Sequence, residues 1–296
     1  MHESDIVILG HLARDVIEVD GKSHKSLGGA VYYGGIAGAH IGLKVAIVTK
    51  LKKEDLTFLH VFEKKGIKCF AYPSEQTSGL KNIYSSENFE HREYEPLGFA
   101  GLFKKQEIPD LKTKYFVIGG IIAGEVDLKL LDHIYSKYSE NLCLDIQGFI
   151  RKIEDKKVFY ESLSVKEKEA ILSKVKILKV DQREAEVLTN HKDIVLASKE
   201  LVEQGPEEIL VTHQKGITVN ASGDIYFFPW KNKTSLGRTG RGDTAFISYL
   251  GARLTKTPEE ALKFSAALTS LKLELPGPFS LPLYQVEKLI KEAYSR

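Results

Sequence analysis

Short apolar runs alternate with longer amphipathic stretches over most of this chain. Residues 6–9, 45–48, 115–118, 142–146, 177–180 and 209–212 are runs rich in Ile, Val and Leu, several followed at once by Gly, Asp or His. Brief runs of this kind predict strands buried on both faces. Between them, residues 32–41, 55–65, 128–138, 165–175, 183–188 and 194–204 repeat apolar positions at helical spacing. Strand–helix alternation builds βαβ units, so the pattern predicts an α/β fold: a doubly wound, mostly parallel sheet flanked by helices. Ligands of such sheets bind beyond the carboxyl ends of the strands.

Two segments break the rhythm. Residues 12–25 alternate apolar and polar positions around Val16, Ile17 and Val19, and residues 77–103 scatter Tyr84, Phe89, Tyr94 and Phe99 among charges. Both predict strands of an antiparallel flap that is wet on one side. No internal repeat, low-complexity tract or proline-rich linker divides the chain. A single domain over residues 1–296, with a small β-sheet lid from insertions at about 12–27 and 77–103, accommodates the pattern.

Composition narrows the partners. The chain is 43% hydrophobic and 28% charged, as soluble globular proteins are. Its 42 basic and 40 acidic residues leave a net charge of +2, so neither nucleic acid nor a membrane surface is expected as a partner. Cys69 and Cys143 stand far apart among apolar residues and read as buried thiols, with no zinc spacing. The N-terminal residues do not form a signal peptide and no stretch is long enough to cross a bilayer, which predicts a cytoplasmic setting.

The segment TGRGDTAFISYLGARL, from Thr239, carries the strongest chemical signal. Two glycines and an aspartate precede Ala245, Phe246, Tyr249, Leu250 and Leu254, so a helix is predicted to start near Asp243. A glycine-rich turn feeding a helix aims backbone N–H groups and the positive end of the helix dipole at one point, which suits phosphate. Asp243 then adds a carboxylate where a proton has to be taken up. Asp243 as a plain N-cap, with Gly240 and Gly242 as turn residues, explains the same pattern. The loose dinucleotide fingerprint from Gly240 lacks the strand that must precede it.

Further candidates follow strand ends. Gly28 and Gly29 lead into the first long helix, and Asp15 follows the first strand. Asp145 and Arg151 follow one strand, Asp181 and Glu184 the next, and Thr212 and Gly216 another. Acids past strand ends suit a metal-bound triphosphate, but Asp181 and Glu184 equally suit a helix cap. Gly21-Lys22-Ser23 ends like a P-loop, yet Val16 stands where that motif requires glycine.

Taken together, LGGAVYYGGIAGAHIG and RTGRGDTAFISYL resemble the two signatures of the PfkB family of carbohydrate kinases, which have the ribokinase-like fold. The resemblance spans nearly the whole chain. It implies ATP as donor, Mg²⁺ as cofactor, Asp243 as catalytic base, and Gly240, Arg241 and Gly242 as the anion hole. It places Asp15, Gly28, Gly29, Tyr33 and Arg151 on the substrate side, and Thr212, Gly216 and Thr239 on the ATP side. Glu184 and Asp181 would organise the metal through water. Arg241 replaces a usual Ala, Tyr33 a common Asn and Asp181 the Asn of the N-x-x-E motif. Gly237 replaces an Asp that commonly helps to hold a monovalent cation, which puts potassium activation in question.

The implied function is phosphorylation of a small polyol: a sugar, sugar acid or cyclitol. Nucleoside kinase activity, a non-catalytic ligand-binding protein on the same fold and a nicotinamide-dependent dehydrogenase are the alternatives. Lys81, His91 and Arg92 in the flap are candidates for meeting an acidic substrate, and the resemblance admits a homodimer formed through the lid.

Overall fold

The computed structural model describes residues 3–155 and 157–294, apart from the side chains of Glu90 and His91. Strand β1 (Glu3–Leu9) is followed by the hairpin β2 (Ala13–Val19) and β3 (Lys22–Gly28), then α1 (Ala30–His40) and β4 (Val45–Lys52). A short α2 (His60–Glu63) leads to β5 (Lys68–Ser74). A second hairpin, β6 (Gly79–Ser85) and β7 (Asn88–Gly98), precedes β8 (Lys112–Ile118). Next come α3 (Leu128–Tyr138), β9 (Leu142–Asp145), α4 (Gln147–Ile150) and the small hairpin β10 (Arg151–Glu154) and β11 (Lys157–Tyr160). They are followed by α5 (Val165–Leu172), β12 (Ile177–Asp181), α6 (Gln182–Thr189), α7 (Ile194–Glu203) and β13 (Glu208–Thr212). The hairpin β14 (Gly216–Ala221) and β15 (Asp224–Pro229) then leads to α8 (Arg241–Arg253), α9 (Pro258–Leu273) and α10 (Leu283–Ala293).

Nine strands form one sheet in the order β15-β14-β13-β12-β9-β8-β1-β4-β5. All its pairings are parallel except those of β13 with β14 and β14 with β15. Alternation along each strand feeds two cores. Ile6, Ile8, Ile47 and Val117 face α1, α8 and α9. Val7, Leu9, Val48 and Phe116 face α3, α5, α6 and α7. From β1 the chain first builds outward to β4 and β5, then returns to build β8, β9, β12 and β13 on the other side. The order therefore reverses between β1 and β8, which leaves a crevice at their carboxyl ends.

The two insertions form a separate four-stranded sheet, β3-β2-β6-β7. It is not the purely antiparallel flap that the pattern predicts: β2 and β6 pair in parallel. Each hairpin leaves the main sheet at the carboxyl end of a strand, β1 or β5, so their first strands start out in the same direction. Leu80, Asn82 and Tyr84 alternate toward the body and are buried. The helix predicted at 55–65 is instead a 3₁₀ segment, Lys53–Leu59, ahead of α2. Asp55 is drawn inward there as acceptor for the Thr77 hydroxyl (2.6 Å) and the Arg14 guanidinium (3.2 Å). Cys143 is buried, Cys69 half-buried, and both are free thiols. Among the described residues no helix is long and apolar enough to cross a membrane.

Candidate active site

A cavity of about 70 Å³ opens beyond the carboxyl ends of the parallel strands, bordered by Ile121 after β8, Gln147 after β9, the ends of β12 and β13, the start of α8 and the inner face of the second sheet. It brings together Asp15, Gly29, Tyr33, Arg151, Asp181, Thr212, Thr239 and residues 240–243.

The turn into α8 is built on Gly240. Its φ of 80° and ψ of 10° lie in the left-handed region, where a side chain is strained. A Cβ there would also stand 2.2 Å from the Tyr33 ring. The helix begins at Arg241, earlier than predicted, with Gly240 as its N-cap. Asp243 is thus the third residue of the helix and not its cap. The N–H of Arg241 donates to Arg238 O at 3.3 Å. Those of Gly242 and Asp243 belong to a first turn, which has no intrahelical acceptor, and both residues border the cavity. Burial, reinforced by the Asp145 carboxylate, pushes Asp243 up to about 6, against the pull of Lys179, Arg151 and Arg92.

Behind the turn lies a buried charge network. Lys179, between the apolar residues Leu178 and Val180 of β12, places Nζ 2.9 Å from Asp145 Oδ2 and 3.6 Å from Glu184 Oε2. A Cβ on Gly242 would lie 3.2 Å from that Nζ, so the ammonium sits directly beneath the first turn of α8. Despite burial, Asp145 and Glu184 hold Lys179 well above the usual lysine range. Glu184 is fully buried and forms a capping box with Asp181: Asp181 N–H donates to Glu184 Oε2 (2.7 Å) and Glu184 N–H to Asp181 Oδ1 (2.8 Å). Burial and the adjacent Asp181 push Glu184 up to about 7. Asp181 is lowered, burial being outweighed by Lys179, the Glu184 N–H and Arg151.

This arrangement bears on Mg²⁺. Among the described residues no group of three or more His, Cys, Asp or Glu side chains converges on a metal-sized point. Asp181 borders the cavity, whereas Asp145 and Glu184 face Lys179 and Arg151. The donor set fits a divalent ion carried on phosphate and reached by Asp181 through water, not one caged by protein. Glu184, expected beside the metal, stands one layer back, bound to Asp181 through the capping box.

On the other side of the cavity, buried Asp15 accepts the Leu80 N–H at 2.8 Å. A Cβ at Gly28 would lie 2.0 Å from its carboxylate, so Gly28 makes room for Asp15 without lining the cavity. Burial pushes Asp15 up to about 6; the Leu80 N–H and Arg92 pull it down. Gly29 is the N-cap of α1. Arg151 donates to Ile121 O (3.3 Å) and Tyr160 Oη (3.4 Å). Thr239 Oγ1 meets Tyr84 Oη at 2.9 Å, joining the second sheet to the loop that leads into α8.

Like Gly28 and Glu184, two more of the expected residues stand away from the cavity. Gly216 opens β14, paired with Pro229 and packed against Phe228, and does not border the cavity. Lys81 points away from the body, bound to Glu18 (3.1 Å) and Glu95 (3.6 Å), because residue 81 has the opposite strand parity to Leu80 and Asn82. Arg92 does reach the cavity; the His91 side chain lies outside the described residues. Lys179, Asn82, Gln147 and Arg238 also line it, and none of them stood out in the sequence. Lys179 had a signal: a lone charge inside a buried strand. Beyond the cavity a groove of about 470 Å³ is bordered by Arg92, Arg183, Arg238, Arg241 and His213.

No protein-family model matches the chain. It is 28% identical over 292 residues to a cytidine kinase of Thermococcus kodakarensis, covering 94% of this chain and 99% of that protein. Among solved structures it is similar to a pyrophosphate-dependent kinase in the ribokinase family, complexed with a pyrophosphate analogue and myo-inositol. The identity is 30%, over 96% of this chain and 99% of the other, with a TM-score of 0.87. It is likewise similar to the sulfate complex of a pyrophosphate-dependent kinase in the ribokinase family, at 31% identity over 95% and 99% of the two chains, with a TM-score of 0.88.

Proposed function

The chain belongs to the ribokinase family of kinases, and from that premise we propose that it transfers a phosphoryl group from pyrophosphate to one hydroxyl of a small polyol. The observation carrying this reading is the position of the Asp243 carboxylate on the first turn of α8, beside N–H groups that lack helical partners.

The acceptor hydroxyl lies between Asp15 and Asp243. Its oxygen attacks the terminal phosphorus in line as its proton passes to the Asp243 carboxylate. The bond from that phosphorus to the bridging oxygen breaks, and its electron pair leaves with orthophosphate. The N–H groups of Gly242 and Asp243, with the Lys179 ammonium beneath them, balance charge on the moving group. Asp181 would hold a divalent ion on the donor phosphates through water, and such an ion would add to that neutralisation. The second sheet serves as the lid: Asn82 and Arg92 cover the cavity, and Tyr84 ties the cover to Thr239, which keeps water from the donor.

The groove supports pyrophosphate as donor. Its aromatic faces are covered by guanidinium groups: Arg92 lies 4.5 Å from the Tyr94 ring and Arg183 4.7 Å from that of Tyr160. Little apolar wall remains for a purine, and the two similar structures are of pyrophosphate-dependent kinases. ATP, the donor expected from sequence, is the second reading, because a groove of about 470 Å³ has room for a nucleoside beyond the terminal phosphates. The small polar cavity, with Asp15, Asn82 and Gln147, favours a ring of hydroxyls such as a cyclitol over a nucleoside.

The test is a release assay with pyrophosphate or ATP against cyclitols, sugars, sugar acids and nucleosides, with Asp243→Asn as control. Highest turnover is expected with pyrophosphate and a cyclitol. Turnover confined to ATP and nucleosides would overturn both choices, and full activity of the Asn variant would overturn the base.

A further inference from the structure

Lys272 stands beside the site and has no part in the transfer just described. It lies on the last turn of α9, fully buried. Its Nζ donates hydrogen bonds to the carbonyl oxygens of Gly237 and Thr239, in the loop that delivers the anion-binding turn. It also lies 4.9 Å from the centroid of the Tyr33 ring, the ring that packs against Gly240. An ammonium is expensive to bury, and a helix end is filled more cheaply by Leu or Met. Here two carbonyl dipoles and an aromatic face converge on the charge.

Gly237 is what permits the contact. A Cβ there would stand 2.0 Å from Leu275 O and 2.4 Å from Lys272 O, and its N–H donates to Leu273 O at 2.8 Å. The loop is thus fastened to the end of α9, with no room for the aspartate that the family resemblance associates with a monovalent cation. A lysine ammonium has the same charge as K⁺, and carbonyl oxygens satisfy both.

We propose that the Lys272 ammonium is a built-in monovalent cation: it positions the carbonyls of Gly237 and Thr239, and through them the anion-binding turn, so that transfer requires no potassium or sodium ion. This rests on the reading of residues 240–243 as the anion hole. Lys272 is a positioning residue, since it touches the loop and not the reacting atoms. The charged groups facing it are Arg238 in the loop and Arg241 and Asp243 on α8. Burial, then Arg238 and Arg241, push it down to about 7, and Asp243 opposes them. Tyr33 is raised by burial and stays neutral. The ammonium is therefore present below about pH 7 and is lost above it, whereas a potassium ion does not titrate.

The experiment measures transfer with tetramethylammonium as the only other cation besides magnesium, then with potassium at equal ionic strength. The wild type is expected to be unchanged. Lys272→Ala opens a carbonyl-lined space and is expected to lose about 100-fold in kcat through misplacement of the turn. Potassium should restore a large part of that loss, and the restored activity should no longer decline above neutral pH. A wild type that requires potassium overturns the proposal. So does a folded Ala variant that keeps full activity, or one whose loss no monovalent cation relieves. If the Ala variant does not fold, Lys272→Met keeps the packing, and calorimetry with methylenediphosphonate should read weaker binding than in the wild type. If neither folds, the wild-type ion requirement decides. Should the wild type phosphorylate no acceptor, the proposed function fails by itself. Methylenediphosphonate binding, with and without potassium, still tests Lys272.

Discussion

The ring of Tyr33 closes against the backbone of Gly240: a Cβ on Gly240 would stand 2.2 Å from the ring's Cγ. The same glycine holds φ at 80°, so its position is fixed twice, by conformation and by the ring. Gly240→Ala is expected to cost about 1–3 kcal/mol in stability for the strained backbone. It should also lower kcat/KM by roughly 100-fold, because the turn moves off the phosphoryl group. Adding Tyr33→Leu should recover part of the stability, since the clash is relieved and the positive φ is not. Thermal denaturation and steady-state kinetics on the wild type and the two variants check the order.

The proposed role of Asp243 as base ties activity to pH. Burial and Asp145 raise it from an ordinary 3.8 to about 6, and only the carboxylate accepts the acceptor's proton. Activity should therefore rise as pH climbs through about 6. The folded state binds this proton more tightly than the unfolded chain does. The group's contribution to stability is thus fully present below 3.8, and it is lost as pH rises through about 6. Asp243→Asn should then drop kcat by roughly 10²–10⁴. At pH 8 its melting temperature should equal or exceed that of the wild type. A variant that lost both activity and melting temperature would show a structural role instead.

How much of this was legible follows from where each constraint lies. The parallel strands were readable because burial on both faces makes 6–9 or 177–180 locally apolar, and Asp181 and Thr212 stood out as the residues that end such runs. The direction of β2 against β6 was not readable, because it depends on which strand ends the two hairpins leave. Helix α9 escaped the apolar pattern because Ala261, Leu262, Ala266 and Ala267 are buried around most of its circumference, leaving no stripe. Its capping box, Thr257 with Glu260, was available as a start signal. Nothing local marks Lys272 as buried, since its acceptors lie 33 and 35 residues earlier in the chain. Gly216 followed a strand as Thr212 does, but the chain had already turned back into an antiparallel edge.

Lys179 balances carboxylates from two further elements, Asp145 at 2.9 Å and Glu184 at 3.6 Å. Lys179→Met keeps the volume and removes the charge. The buried acids are then left uncompensated, which is expected to cost about 3–5 kcal/mol at neutral pH. Glu184 already sits at about 7, so without the ammonium it protonates more readily, and the deficit should shrink as pH falls. Urea unfolding of both proteins at acid and neutral pH measures this. A deficit that does not depend on pH would mean that packing, not charge, is what Lys179 supplies.

Tyr84 ties the second sheet to the loop that leads into α8. Its hydroxyl meets Thr239 Oγ1 at 2.9 Å and accepts from Arg92 Nη1 at 3.3 Å, so one oxygen connects a cavity arginine, the cover and the residue before Gly240. Tyr84→Phe removes both bonds and keeps the ring against Phe89, so the fold should change by no more than about 1 kcal/mol. Transfer to the acceptor should fall roughly tenfold, because the cover no longer draws Thr239 and the turn into register. Water gains access at the same time, so hydrolysis of the donor without acceptor should rise relative to transfer. The ratio of free orthophosphate to phosphorylated polyol, followed over one time course, separates the two effects. An unchanged ratio with slower transfer would place Tyr84 in acceptor binding alone, while a higher ratio is the signature of a cover that no longer closes on the loop.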